Sequence, residues 1–156
     1  MPTFLRTVEF LALALWLGSD IFVSLILAPG VFRLLASRDQ AGAIVGFSLN
    51  AMHRAGIVCG FVLLITRTVR VRTIASLVGP AGVSVALMIL LTAISQYMVS
   101  PRMAALRVRM GSIQATAADS PLLAEFGRLH RVSASLEGFV LLLGIAAIYS
   151  MVREPR

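Results

Sequence analysis

Two carboxylic acids, one histidine, one arginine and two amides stand inside stretches that are otherwise almost wholly apolar: Asp20, Glu137, His53, Arg54, Asn50 and Gln96. Groups of this kind are expensive in hydrocarbon, so they are expected to face one another and to mark a site. Their chemistry is that of proton or ion handling. Arg54 stays cationic, because a guanidinium is not deprotonated in proteins. Asp20 and Glu137 cannot both ionise cheaply against one arginine unless His53 is protonated or one acid keeps its proton. A proton or a cation could fill that deficit, His53 could relay a proton, and Asn50 and Gln96 could supply neutral hydrogen bonds. The same residues are also compatible with a buried Arg–carboxylate lock that fixes packing, or with a cofactor or metal site.

Spacing supports a shared interior. Residues three, four and seven apart share a helix face. Trp16, Asp20 and Ser24 form one such stripe; Asn50, His53 and Arg54 a second; Thr92, Ser95 and Gln96 a third; His130, Ser133 and Glu137 a fourth. With side A the face carrying the N-terminus, a rise of about 1.5 Å per residue puts Asp20, His53, Arg54 and Glu137 roughly 18–22 Å from it. Gln96 lies nearer side B, where Asn50 could meet it.

Metal ligation is weakly supported. There are only two histidines, and His53 and His130 differ by roughly 15–20 Å in expected depth. Met52 and Cys59 share a face of one segment and are soft ligands for copper(I) in principle, though two core residues of an apolar helix explain them better. Zinc spacings, phosphate loops, dinucleotide fingerprints and nucleophile elbows are absent from the sequence. No catalytic residue is assigned, and the cofactor is left open.

The elements that must position these groups are four apolar segments. Helix one is expected over about 4–28, ended by Pro29-Gly30, and its length, Glu9 and Pro29 argue against a cleaved leader. Helix two covers about 41–66 and contains Gly42/Gly46 and Gly56/Gly60, pairs that let helices approach closely. Helix three runs over about 73–99, starting near Thr73 or Pro80. The stretch 101–131 reads as an interfacial or protruding helical hairpin: Met103, Leu106, Met110 and Ile113 recur at helical spacing among Arg102, Arg107 and Arg109. Asp119-Ser120-Pro121 opens the last helix outside the membrane, and the span itself covers about 132–152.

Composition agrees. The 156 residues are 58% hydrophobic and 13% charged, against about a quarter charged in soluble domains. The net charge of +7 comes with no basic stripe or aromatic platform, which argues against nucleic acid. All fourteen cations are arginine, and most sit at the ends of apolar runs where lipid phosphates lie. The positive-inside count is nearly balanced and leaves orientation open. The single cysteine excludes an internal disulfide. The fold expected is all-α, a single four-helix membrane bundle in a bacterial inner membrane. The bilayer is its first partner, and a bundle this small points to a homo-oligomer or a membrane partner.

The run Leu15-Trp16-Leu17-Gly18, then Phe22, Ala28-Pro29, Phe32-Arg33 and Gln40-Ala41-Gly42, resembles the opening of the transmembrane protein 205-like family, also known as domain of unknown function 4149. Ser100-Pro101-Arg102, Leu106-Arg107, Phe126, Leu129-His130 and Ser133 continue the resemblance. It implies a four-helix integral membrane protein and carries over no enzyme activity. The Trp-Leu-Gly opening is also similar to the copper-resistance protein D group and, more distantly, to a membrane protoporphyrinogen oxidase. Asp20 stands where the resemblance leads one to expect a small or apolar residue, which makes the acid a private feature of this chain.

Overall fold

The computed structural model describes residues 2–154. Four long helices carry the chain: α1 (Thr3–Leu34), α2 (Arg38–Val71), α3 (Pro80–Met110) and α4 (Pro121–Val152), each long and apolar enough to cross a membrane. A 3-10 turn, Ile74–Leu77, lies between α2 and α3. The connections at 35–37, 72–79 and 111–120 are short, so consecutive helices run antiparallel. α1 packs mainly on α2 and α3 mainly on α4, while α2–α3 and α1–α4 contacts close the ring.

Local chemistry explains the helix ends. Ser37, extended, caps α2 by accepting from the Gln40 amide at 3.3 Å, satisfying one of the donors a helix start leaves free. Arg72 ends the same helix in the left-handed region (φ 57°), its N–H bonded to the Thr68 carbonyl. Pro80 and Pro121 open α3 and α4 from the first turn, where a missing N–H costs nothing.

Pro29 and Pro101 behave differently. Pro29-Gly30 was expected to end the first helix; instead α1 continues through it to Leu34, and α3 likewise runs on through Pro101. Both helices absorb the proline in the same way, by widening into π-helical turns just before it, at Phe22–Leu27 and Ser95–Val99. A proline interior to a helix removes a donor and crowds the carbonyl four residues back, and a π turn relieves the crowding. Neighbouring helices hold the continuation in place, as happens in membrane bundles.

The bundle is apolar both inside and out. Leu13, Trp16, Leu63, Val85, Met88, Val140, Ala147 and Met151 fill the core, while Leu11, Leu15, Leu25, Phe47, Val58, Phe61, Ile65, Leu142 and Ile145 face outward. An outer surface of large apolar side chains has hydrocarbon as its natural solvent. The chain is thus an integral membrane protein.

Glycines set the closest approaches. A Cβ on Gly60 would lie 2.6 Å from Ile89 Cγ1 and 2.7 Å from Trp16 Cζ3, and one on Gly56 would run into the Trp16 indole. Both glycines thus serve packing between α1, α2 and α3 within the chain. Gly42 and Gly46 make a second notch, filled by the Arg107 guanidinium, which also lies over the Phe126 ring at 5.4 Å. Val99, Leu106 and Leu129, joined by Met103, Met110, Leu122 and Phe126, form a smaller cluster that zips the end of α3 to the start of α4.

Candidate functional site

The interior of the bundle holds a continuous hydrogen-bonded chain across three helices. His53, fully buried on α2, is its centre. Its Nδ1 lies 3.0 Å from Gln96 Oε1 on α3, and its Nε2 lies 2.6 Å from Glu137 Oε1 on α4. Ser95 Oγ donates to the same Glu137 oxygen at 3.2 Å, and Ser133 stands 3.4 Å from Ser95. The π turn of α3 begins at Ser95 and turns Ser95 and Gln96 together into the interior, where both are buried.

The geometry restricts the proton states. With the Gln96 oxygen facing Nδ1, that ring nitrogen carries a hydrogen and donates. One proton then lies between Nε2 and Glu137. It resides on the ring, giving imidazolium and carboxylate, or on the acid, giving two neutral groups. The sum of charges is the same in both, and the proton can cross a 2.6 Å separation without any heavy atom moving. A short bond between an ionisable donor and acceptor is also the stronger kind.

Asp20 stands apart from this chain. It is fully buried on α1, and its Oδ1 accepts from Ser24 Oγ at 3.1 Å. Its Oδ2 is buried without a hydrogen-bond partner, and so is Thr92 Oγ1 on α3. Glu137 and His53 are the ionisable groups that face Asp20 across the interior.

The structure therefore joins His53, Gln96 and Glu137 in one chain, buries Asp20 in the interior outside that chain, and separates the other two. Asn50 is half-buried and outside the chain of hydrogen bonds. Arg54 is exposed on the outer face of α2 and enters no ion pair among the described residues. The expectation that Arg54 neutralises the acids is thereby corrected. Adjacent helix positions differ by about 100°, so with His53 pointed inward the next residue points away. The basic group within reach of Glu137 is His53, 2.6 Å away.

His53 and His130 do not meet either. His130 is exposed and lies seven residues, about 10 Å along α4, from the Glu137 that His53 contacts. Both ring nitrogens of His53 are already engaged. Met52 is buried and Cys59 half-buried, and among the described residues no three His, Cys, Asp or Glu side chains are grouped to hold a metal ion.

A second polar assembly closes side A. Arg70 clasps Glu9 through two bonds, of 2.6 Å and 3.0 Å, and reaches Glu154 at 3.2 Å; Arg67 also pairs with Glu154. Burial works to raise the Glu154 carboxyl, but its hydrogen bonds and charge attraction to Arg67 and Arg70 outweigh it and hold the group below the usual glutamate range. This cluster ties α1, α2 and the end of α4 together. Its one legible trace in the sequence was Glu9, an acid near the start of an apolar helix.

A family model described as "Domain of unknown function (DUF4149)" matches residues 11–112, from the first core turn of α1 to just beyond the end of α3. The chain belongs to the DUF4149 family. No curated protein and no solved structure matches it. The DUF4149 match includes Asp20, His53, Thr92, Ser95 and Gln96. Glu137 lies beyond it, on the helix that completes the hydrogen-bonded chain.

Proposed function

We propose that this DUF4149 protein is a transport component of the bacterial inner membrane that handles protons through Glu137, His53 and Gln96, with Asp20 as a second acid in the same layer. The observation that carries the reading is the buried 2.6 Å contact between His53 Nε2 and Glu137 Oε1. A bistable proton inside a membrane bundle is what a relay needs, and ionisable groups at that depth mark proton or ion pathways. The finer likeness to the transmembrane protein 205-like family belongs to this reading and adds no activity to it.

The test is proton uptake by proteoliposomes holding a pH-sensitive dye, under an imposed potassium diffusion potential. Wild type is expected to acidify the lumen, and Glu137→Gln to slow uptake by about 100-fold or more, a lower range for removing a positioned acid–base group. Glutamine keeps the shape, and its amide NH2 can donate to the bare Nε2 of a neutral His53, so the helix content and melting profile should stay close to wild type. Wild-type flux at the level of empty liposomes, or full flux in Glu137→Gln, would sink the reading. Glu137→Gln and Asp20→Asn both failing to fold would favour a structural lock.

Arg54 favours a second reading, an assembly subunit. A cation on the outer face, sixteen residues into the 34-residue α2, is costly against lipid. A partner helix bearing a carboxylate would neutralise it. On this reading Arg54→Leu dissolves a larger complex seen by native mass measurement while the isolated chain still folds. An unchanged mass for the variant counts against it.

A further inference from the structure

Asp20 and Thr92 each end in a buried oxygen without a hydrogen-bond partner, and the packing brings them to one level of the bundle. Trp16 of α1 and Ile89 of α3 both lie against Gly60 of α2. α1 and α3 run in the same direction, so Asp20, four residues beyond Trp16, and Thr92, three beyond Ile89, both stand one turn further toward side B. There they flank the turn of α2 that carries His53 and Gly56. Buried polar atoms left unsatisfied in a native fold call for an explanation such as water or an ion.

Charge distinguishes between those two. The His53–Glu137 pair with one shared proton is neutral in sum, so when Asp20 is ionised its carboxylate is the surplus negative charge of the interior. Water can bond to Oδ2 but cannot cancel that charge, whereas one positive charge balances it. A divalent ion would leave an excess of opposite sign, costly at this depth. The unpartnered donors that α1 and α3 offer at this level are oxygens of a carboxylate and a hydroxyl, the set that hard cations take, with water completing the shell.

The backbone supplies a route. The Ala28 N–H bonds to the Val23 carbonyl and the Ser100 N–H to the Ser95 carbonyl. The next carbonyls, Ser24 and Gln96, would turn to residues 29 and 101, which are prolines with no N–H to give. Two main-chain carbonyls are thus left without a helical donor on the side-B half, beyond Asp20 and Thr92. Carbonyls of that kind are tolerated at membrane depth where they are packed in protein or line a wet path.

We propose that Asp20 and Thr92 form a site for a hard monovalent cation, sodium being the first to test, reached from the side that carries the 35–37 and 111–120 connections. This deepens the proton-handling reading by naming a second ion for the same interior, and it rests on that reading only for coupling, not for binding. A proton on Asp20 excludes the cation. The ionisable groups facing Asp20 are His53 from α2 and Glu137 from α4; α3 presents the neutral Thr92, Ser95 and Gln96, and Glu9 on α1 itself is eleven residues away in the side-A cluster.

The molecule carries its own reporter, since Trp16 is the single tryptophan and lies one turn from Asp20. The experiment is a titration of its fluorescence in purified full-length protein with sodium chloride, ionic strength held by N-methylglucamine chloride, with lithium and potassium as parallel arms. A saturable sodium response is expected, weakening about tenfold per pH unit where a proton competes fully. Asp20→Asn should abolish it with the helix content unchanged. Thr92→Val, which keeps the shape and removes one neutral oxygen, should weaken it about tenfold. Glu137→Gln should keep it at pH 8 even where proton flux is lost, so binding and relay fail independently. A folded wild type with no saturable response to any of the three cations overturns the site. So does a response that survives in Asp20→Asn, or one that Thr92→Val or acidification leaves untouched.

Discussion

Gly60→Ala tests the packing that sets Asp20 and Thr92 level with each other. The added Cβ would sit 2.6 Å from Ile89 Cγ1 and 2.7 Å from Trp16 Cζ3, where carbon atoms prefer about 3.5–4.0 Å. Each neighbour would have to retreat by about 1 Å. Trp16 is 1% exposed and its ring also lies against Gly56, so the indole has no free direction. Overpacking of this kind costs about 1–3 kcal/mol, against a helix-propensity gain of up to about 1 kcal/mol for replacing glycine with alanine. The net expectation is a loss of about 1–2 kcal/mol. Gly138→Ala provides the control: its Cβ would meet nothing within 4 Å, so it should be neutral or mildly stabilising. Both are measured by reversible unfolding in mixed detergent–SDS micelles, followed by helix content. Gly60→Ala proving as stable as Gly138→Ala would refute the claim that contact through Gly60 fixes the relation of α1 to α3.

Other perturbations follow from the two polar ends. Glu154, held below its ordinary range by Arg67 and Arg70, should contribute stability at pH above about 4.3, the unperturbed glutamate value. That contribution is lost as pH falls through its lower folded value. The stability gap between wild type and Glu154→Gln should therefore be constant near neutrality and close in acid; a gap that widens on acidification would contradict the ion cluster. Asp39 accepts from Ser112 Oγ at 2.6 Å and from the Ile113 amide at 2.7 Å. Asp39→Ala should speed hydrogen exchange at the Ile113 amide and leave α1 protected, and unchanged exchange there would show the connection is held by other contacts.

The four-helix membrane architecture was legible because it depends on composition along the chain: runs of apolar residues long enough to span hydrocarbon leave few alternatives. Proline was the misleading signal at Pro29. Its missing donor ends a helix in water, but α1 has neighbours that hold the turn beyond, so the chain widens into a π turn and continues to Leu34. The polar interior was legible in part. Helical spacing placed Asp20, His53, Gln96 and Glu137 on stripes that do turn inward, but it also placed Arg54 on the His53 stripe, and the fold turns that residue outward.

The pairing is what the fold alone decided. Four stripes on four helices can be combined in several ways, and the sequence does not say which partner each residue faces. The glycine notches at Gly56 and Gly60 and the π turn at Ser95 set helix separation and rotation to within a side chain's reach, and on that scale His53 meets Glu137 and leaves Arg54 outside. The side-A cluster follows the same rule, since Glu9, Arg70 and Glu154 lie far apart in the chain and meet only when three helices are in register. Apolar periodicity along one helix marked most of the groups that lie inside this membrane protein, Arg54 excepted; contact between helices determined which of them hydrogen-bond, because hydrogen bonding is short-ranged and depends on angstroms that no single helix specifies.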